Sequence, residues 1–188
     1  MCKGSSLKFI PQTIPDIILI KPTVREDNRG YFVETFRQDL LEEVIGYKVN
    51  FVQDNESKST KGVLRGLHYQ LEPFSQAKLV RVIEGSVIDV VVDIRESSPS
   101  FGQHVSIELS DYNKYQLFIP RGFAHGFMAL TDTATFLYKV DNYYSQAHER
   151  GISFNDKQLD INWGLPNEIL KISDKDKQLP LLNKIKKI

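Results

Sequence analysis

The sequence is poor in cysteine, carries no excess charge of either sign and has no long apolar run. Its single cysteine, Cys2, excludes an internal disulfide framework and fits a reducing compartment. Lysine plus arginine and aspartate plus glutamate are balanced at 24 each. A nucleic-acid binder would carry a basic footprint, so that balance argues against one. It leaves room for a small anionic ligand, which needs only a few local arginines and lysines. No apolar stretch approaches the roughly 20 residues that cross a bilayer. The opening residues, MCKGSSLKFIPQ, contain no apolar signal-peptide segment. The expected address is cytoplasmic, with neither membrane nor nucleic acid as a partner.

The 188 residues fit one domain, and a 41% hydrophobic, 11% aromatic composition supplies a core. Residues 1–8 are expected to fray. Residues 155–188 form an irregular segment that packs on the body through Phe154 and Trp163 and ends in a solvated basic tail around Lys184, Lys186 and Lys187. Strand-like runs dominate between: Ile17 to Ile20, Tyr31 to Phe36, Lys78 to Ile83, Val87 to Ile94, Val105 to Leu109, Gln116 to Ile119 and Ala134 to Val140. Turn residues separate them, a pattern of sandwiches and barrels. One short helix is expected from Gln38 to Ile45, closed by Gly46, and a second helical piece near the C-terminus.

Two segments set a histidine among glycines and large apolar residues. They are Gly62-Val63-Leu64-Arg65-Gly66-Leu67-His68-Tyr69-Gln70 and Ile119-Pro120-Arg121-Gly122-Phe123-Ala124-His125-Gly126-Phe127. Glycine in a strand admits close approach of a ligand or backbone, and histidine titrates near neutrality. The second segment fits the proline-x-glycine-x-x-histidine motif of cupins. The fold class expected is therefore all-β, a cupin-like double-stranded β-helix or jelly-roll barrel with a few short helices. The metal-binding cupin motif is incomplete, because Tyr69 and Gln70 follow His68 and Phe74 stands where a glutamate ligand would fall. Two histidines are too few for a catalytic metal, which usually takes three protein ligands. No metal and no cofactor are expected. With Lys78 and Tyr138 nearby in the pattern, the histidines suit proton transfer beside a carbonyl.

Taken in order, the motifs resemble the dTDP-4-dehydrorhamnose 3,5-epimerase family. They are Asp27-Asn28-Arg29-Gly30-Tyr31-Phe32-Val33-Glu34, Gln53-Asp54-Asn55-Glu56-Ser57, the His68 block, Lys78-Leu79-Val80-Arg81-Val82, Asp89-Val90, the His125 block, Tyr138, Tyr143-Tyr144, Glu149 and Ser173-Asp174-Lys175-Asp176. The resemblance runs from about Asp16 to Asp176. It implies a homodimer of metal-free cupin barrels acting on a dTDP-4-keto-6-deoxyhexose at C3 and C5, in dTDP-rhamnose biosynthesis. It also implies roles: His68 as base, Asp176 (or its neighbour Asp174) as its carboxylate partner, Lys78 near the enolate oxygen and Tyr138 as proton donor. Arg29, Glu34, Gln53, Asn55, Arg65, His125, Tyr144 and Glu149 match substrate-binding positions.

Each of these residues has a plainer explanation when read singly. A lone histidine is more often structural, Tyr138 suits a core hydrogen bond, and Lys78 suits a strand lysine reaching outward. Asp176 lies in a charged stretch typical of a solvated loop. Two readings compete with the full epimerase. One is an epimerase that inverts C3 alone, which shares the motifs; the other is a non-catalytic sugar-nucleotide-binding cupin, which needs no base–carboxylate pair. A sugar ketoisomerase of the same scaffold is disfavoured, because Tyr69-Gln70-Leu71 follows His68.

Overall fold

The computed structural model describes residues 6–185, so Cys2, Lys186 and Lys187 lie outside it. Along the chain come β1 (Leu7–Pro11), β2 (Ile18–Pro22), β3 (Val24–Asp27), β4 (Gly30–Val33), α1 (Gln38–Ile45), β5 (Gln53–Thr60), β6 (Val63–Gln70) and β7 (Lys78–Glu84). Then follow β8 (Ser86–Asp93), β9 (His104–Ser110), β10 (Gln116–Ile119), β11 (Phe123–Ala129), β12 (Thr133–Val140), β13 (Glu149–Gly151), β14 (Lys171–Ile172) and α2 (Asp174–Lys177). One sheet runs β1-β2-β10-β7-β12-β5; the facing sheet runs β13-β6-β11-β8-β9, with β14 beside β6. The pairings within both sheets are antiparallel except β14 with β6. The result is the cupin-like β-barrel expected.

Side-chain alternation explains the layers. In β2, Leu19 points between the sheets, whereas Ile18 and Ile20 pack outward with Leu41 and Val49 under α1. In β8, Val87 and Val91 face inward while Val90 and Val92 face the C-terminal segment. That segment, anchored by Trp163, Leu159 and Leu182, covers the outer side of the second sheet. The Trp163 indole N–H donates to the Phe154 carbonyl at 2.9 Å, satisfying its one polar atom. α1 ends where expected, on Gly46 with φ of 80° and its N–H bonded to the Glu42 carbonyl.

Three sequence expectations need correction. Leu7 and Lys8 do not fray: they open β1, and Leu7 is buried in the α1 layer. The strand expected from Tyr31 to Phe36 stops at Val33 and pairs only with β3, in a two-stranded hairpin apart from both sheets. β5, the sequence QDNESKST, escaped notice because it has no apolar face. Its inward face bounds a polar cavity, so hydrophobic alternation is missing by necessity.

β6 carries a bulge that decides the site. Pairing with β11 passes from His125–His68 to Phe127–Arg65, so three steps on β6 answer two on β11. Strict alternation would place Arg65 and His68 on opposite faces; the extra residue puts both inside. Gly66 lies there at φ of 117°, and a Cβ would come 2.6 Å from the Gly126 Cα, so no side chain fits.

The C-terminal segment is tied back at the start of β6. The Lys171 N–H donates to the Gly62 carbonyl at 2.8 Å, and a Cβ on Gly62 would meet the Ile169 carbonyl at 2.4 Å. Gly62 also has φ of 81°. Gly62→Ala is expected to lower stability by about 1–3 kcal/mol, from left-handed strain alone, read as a fall in the urea midpoint. Unchanged stability would show that Gly62 is not held in this left-handed conformation.

Candidate active site

Inward-facing residues collect at one end of the barrel. Gln53, Asn55 and Ser57 come from β5, Arg65 and His68 from β6, Lys78 from β7, His125 and Phe127 from β11, and Phe136 and Tyr138 from β12. Lys171, Ser173, Lys175 and Asp176 close one side. Two lobes share His68, Lys78 and Tyr138 as walls, with volumes of about 370 and 260 Å³. Stacked Phe127 and Phe136, ring centroids 4.1 Å apart, form the apolar floor.

His68 Nε2 lies 2.8 Å from Asp176 Oδ1. Asp176 is 4% exposed, and its other oxygen accepts the Gly66 N–H at 3.3 Å. Burial alone would raise its pKa; the hydrogen bond and charge of His68 outweigh that and hold it below the usual carboxylate range. With Nε2 committed to the carboxylate, Nδ1 is the His68 nitrogen left to exchange a proton with another group. α2 presents Asp176 because Ser173 caps the turn, accepting the Asp176 N–H at 3.1 Å. Asp174 is not the partner: its side chain is 91% exposed and pairs with Lys177.

Lys78 is half-buried on the cavity wall. Desolvation lowers its pKa to about 8, opposed by the charges of Asp89 and Glu149. Tyr138 stands on β12, in the sheet opposite His68, and burial raises its pKa, so its phenol stays protonated at neutrality. His125 Nε2 bonds Asp89 Oδ2 at 2.8 Å inside the barrel, and burial pushes its pKa down. Arg65 reaches the cavity and donates from Nε to Ser59 Oγ at 3.2 Å.

In the second lobe Gln53 Nε2 donates to Asn55 Oδ1 at 2.8 Å, and Gln53 Oε1 accepts the Tyr144 N–H at 3.3 Å. The Tyr144 hydroxyl donates to Glu149 Oε2 at 2.8 Å, and Lys175 pairs with the same oxygen. Burial would raise the Glu149 pKa, but the bonds from Lys175 and Tyr144 prevail and lower it.

Ten of the residues singled out from the sequence therefore meet in one cavity, and two do not. Arg29 sits on the β3–β4 hairpin with its side chain 85% exposed, paired only to Asp27 at 2.6 Å among the described contacts. Glu34 accepts a hydrogen bond from Ser6 and lines neither lobe. Sequence reasoning missed Ser57, Lys171, Ser173 and Lys175 as wall residues and Asp89 as the partner of His125. The polar alternation 53-55-57 was the available signal for Ser57, and the position of Asp89 between inward-facing Val87 and Val91 was the one for Asp89. Among the described residues no group of three His, Cys, Asp or Glu side chains is placed to hold a metal. No helix among them is long and apolar enough to cross a membrane.

A cupin-type barrel that brings a histidine–carboxylate pair, a lysine and, from the opposite sheet, a protonated tyrosine into one cavity can carry acid–base proton transfer. A statistical model of the dTDP-4-dehydrorhamnose 3,5-epimerase family matches residues 11–184. A dTDP-4-dehydrorhamnose 3,5-epimerase of Shigella flexneri is 56% identical over 170 residues, covering 90% of this chain and 93% of that protein. The crystal structure of the corresponding enzyme from Elizabethkingia anophelis superposes with a TM-score of 0.92 at 47% identity, covering 95% of this chain and 98% of that one. A dTDP-6-deoxy-D-glucose-3,5-epimerase from Legionella pneumophila, solved in complex with dTDP-4-keto-L-rhamnose, gives 0.91 at 47% identity over 96% and 95% of the two chains. The chain belongs to the dTDP-4-dehydrorhamnose 3,5-epimerase family.

Proposed function

We propose that the protein inverts C3 and C5 of a dTDP-4-keto-6-deoxyglucose, giving dTDP-4-dehydrorhamnose for rhamnose synthesis. The observation that carries this reading is the His68–Asp176 bond on one wall, with Tyr138 rising from the opposite sheet. Both carbons flank the C4 carbonyl, so one arrangement serves both. His68 Nδ1 takes the C–H proton, and the electron pair moves to the carbonyl oxygen as an enolate. Lys78 as an ammonium, with Arg65, stabilises that oxygen. Asp176 holds the ring and balances the imidazolium formed. Tyr138 returns a proton on the other face, which inverts the centre. Gln53, Asn55, Tyr144 and Glu149 hold the nucleotide side of the substrate in the second lobe, and His125 contacts the sugar.

Arg29 and Glu34 fit the same reading through a homodimer. Their hairpin presents Tyr31 and Phe32 at 57% and 68% exposure. A second copy that covers this hairpin would take Arg29 to the diphosphate in its own cavity. Light scattering is expected to give twice the mass of 21.6 kDa, and Arg29→Ala to raise KM with kcat nearly unchanged. A monomer with full activity would contradict the dimer.

Proton transfer is tested with the keto sugar in deuterated water. Tyr138→Phe keeps the ring and removes the acid. It is expected to exchange hydrogen at C3 or C5 while inversion falls by about 10²–10⁴-fold, the usual contribution of a positioned acid. Inversion at the normal rate would move the acid role elsewhere, with Tyr144 the first candidate.

A further inference from the structure

β8 places two carboxylates in the protein interior, and they are treated differently. Asp93 is fully buried, and both its oxygens are satisfied: Arg95 binds Oδ1 at 2.9 Å and Oδ2 at 2.7 Å, with Ser98 and Ser100 on Oδ2 at 2.6 Å each. That is a structural knot at a strand end. Asp89 is equally buried and lies between inward-facing Val87 and Val91 in the barrel core. Its Oδ2 has His125 Nε2 at 2.8 Å, and its Oδ1 has no hydrogen-bond partner among the described residues. A carboxylate left half-bonded among valines is strongly disfavoured unless a nearby charge compensates it. Lys78 shares a lobe wall with His125, as do Arg65, Lys171 and Lys175, and of the charges that support the Lys78 ammonium Asp89 is the largest.

We propose that Asp89 is a positioning residue of the cavity: its carboxylate fixes His125 as a neutral ring through Nε2–H and is the counter-charge that keeps Lys78 an ammonium inside the barrel. Three groups then add to no net charge, one carboxylate, one ammonium and one neutral imidazole. A fixed Nε2–H leaves His125 Nδ1 as an acceptor for a sugar hydroxyl. Asp89 touches no substrate and acts through these two side chains. The catalytic consequence rests on the epimerase reading; the protonation states do not.

The other groups that act on the pair come from the surrounding strands. Glu149 on β13 adds to the support of Lys78, second to Asp89. His68 on β6 and Lys78 itself act on His125 in the direction of burial, against protonation, while Asp89 alone opposes them. Tyr138 on β12 stays neutral, and Asp176 is committed to His68. The sign follows. Asp89→Asn keeps the shape and an oxygen for Nε2–H but removes the charge. Lys78, already lowered to about 8 by burial, must fall further, so a neutral amine gains population at neutral pH.

The test is a side-chain ¹⁵N NMR titration of the intact protein, wild type and Asp89→Asn, beside kcat and KM against pH. In the wild type, Lys78 is expected to titrate near 8, with His125 neutral and protonated on Nε2 at pH 7. In Asp89→Asn the Lys78 midpoint should drop by about one unit or more, as loss of a nearby opposite charge requires. The alkaline limb of kcat should move down by the same amount, with KM little changed. A folded Asp89→Asn with the Lys78 midpoint unmoved overturns the proposal. Should that variant fail to fold, the wild type decides alone: an imidazolium at position 125 at pH 7, or a neutral Lys78 amine at that pH, overturns it. If the NMR results hold and the wild type does not turn over the keto sugar, the epimerase reading fails and the charge assignment stands.

Discussion

The bond between His68 and Asp176 joins residues 108 positions apart, and the cavity depends on it. Neither partner is placed by its own strand alone. His68 faces inward together with Arg65 because β6 holds one extra residue at Gly66, where nothing larger than glycine fits against Gly126. Asp176 arrives from outside the barrel, on a four-residue helix at the end of a segment otherwise occupied in covering the second sheet. The same segment therefore completes the fold and the site. Its apolar residues, Trp163, Leu159 and Leu182, hold it down, and the short β14 register with β6 sets where α2 begins.

Between the sheets, one set of inward positions changes character along the barrel. Val80, Val82, Val87, Leu109 and Leu117 make a dry core. Elsewhere between the sheets, Lys78 on β7, His125 on β11 and Tyr138 on β12 line the cavity, with β5 adding Gln53, Asn55 and Ser57, and Asp89 on β8 reaches His125 from within the core. The apolar part supplies rigidity and low dielectric, which strengthens charge–dipole interactions and shifts protonation equilibria in the polar part. Lys78 near 8, His125 held neutral and Tyr138 held protonated are three outcomes of that one environment.

Strands with an apolar face were legible from the residues: β7, β8, β9, β10 and β12 lie within a residue of where alternation and β-branched runs place them. β5 was not, because a strand facing a polar cavity lacks the pattern that reveals strands. The cupin motif around His125 located one histidine wall, and the order of motifs supplied the family. Convergence of His68, Lys78, Tyr138 and Asp176 depends on a bulge and on a long return of the chain, neither of which local pattern encodes. The choice between Asp174 and Asp176 needed the cap on Ser173, which turns one carboxylate inward and leaves the other in solvent. Arg29 and Glu34 matched family positions by sequence yet stand outside the cavity of this chain.

The central claim is that His68 and Asp176 act as one base, and a double-mutant cycle tests it most directly. Deuterium uptake at C3 and C5 would be followed for His68→Ala, Asp176→Asn and the double variant. If the two side chains work as a unit, the double variant is expected to lose no more exchange rate than His68→Ala alone, since the carboxylate has nothing left to orient. Losses that multiply, each variant costing its own factor, would contradict the account and give Asp176 a role independent of the histidine.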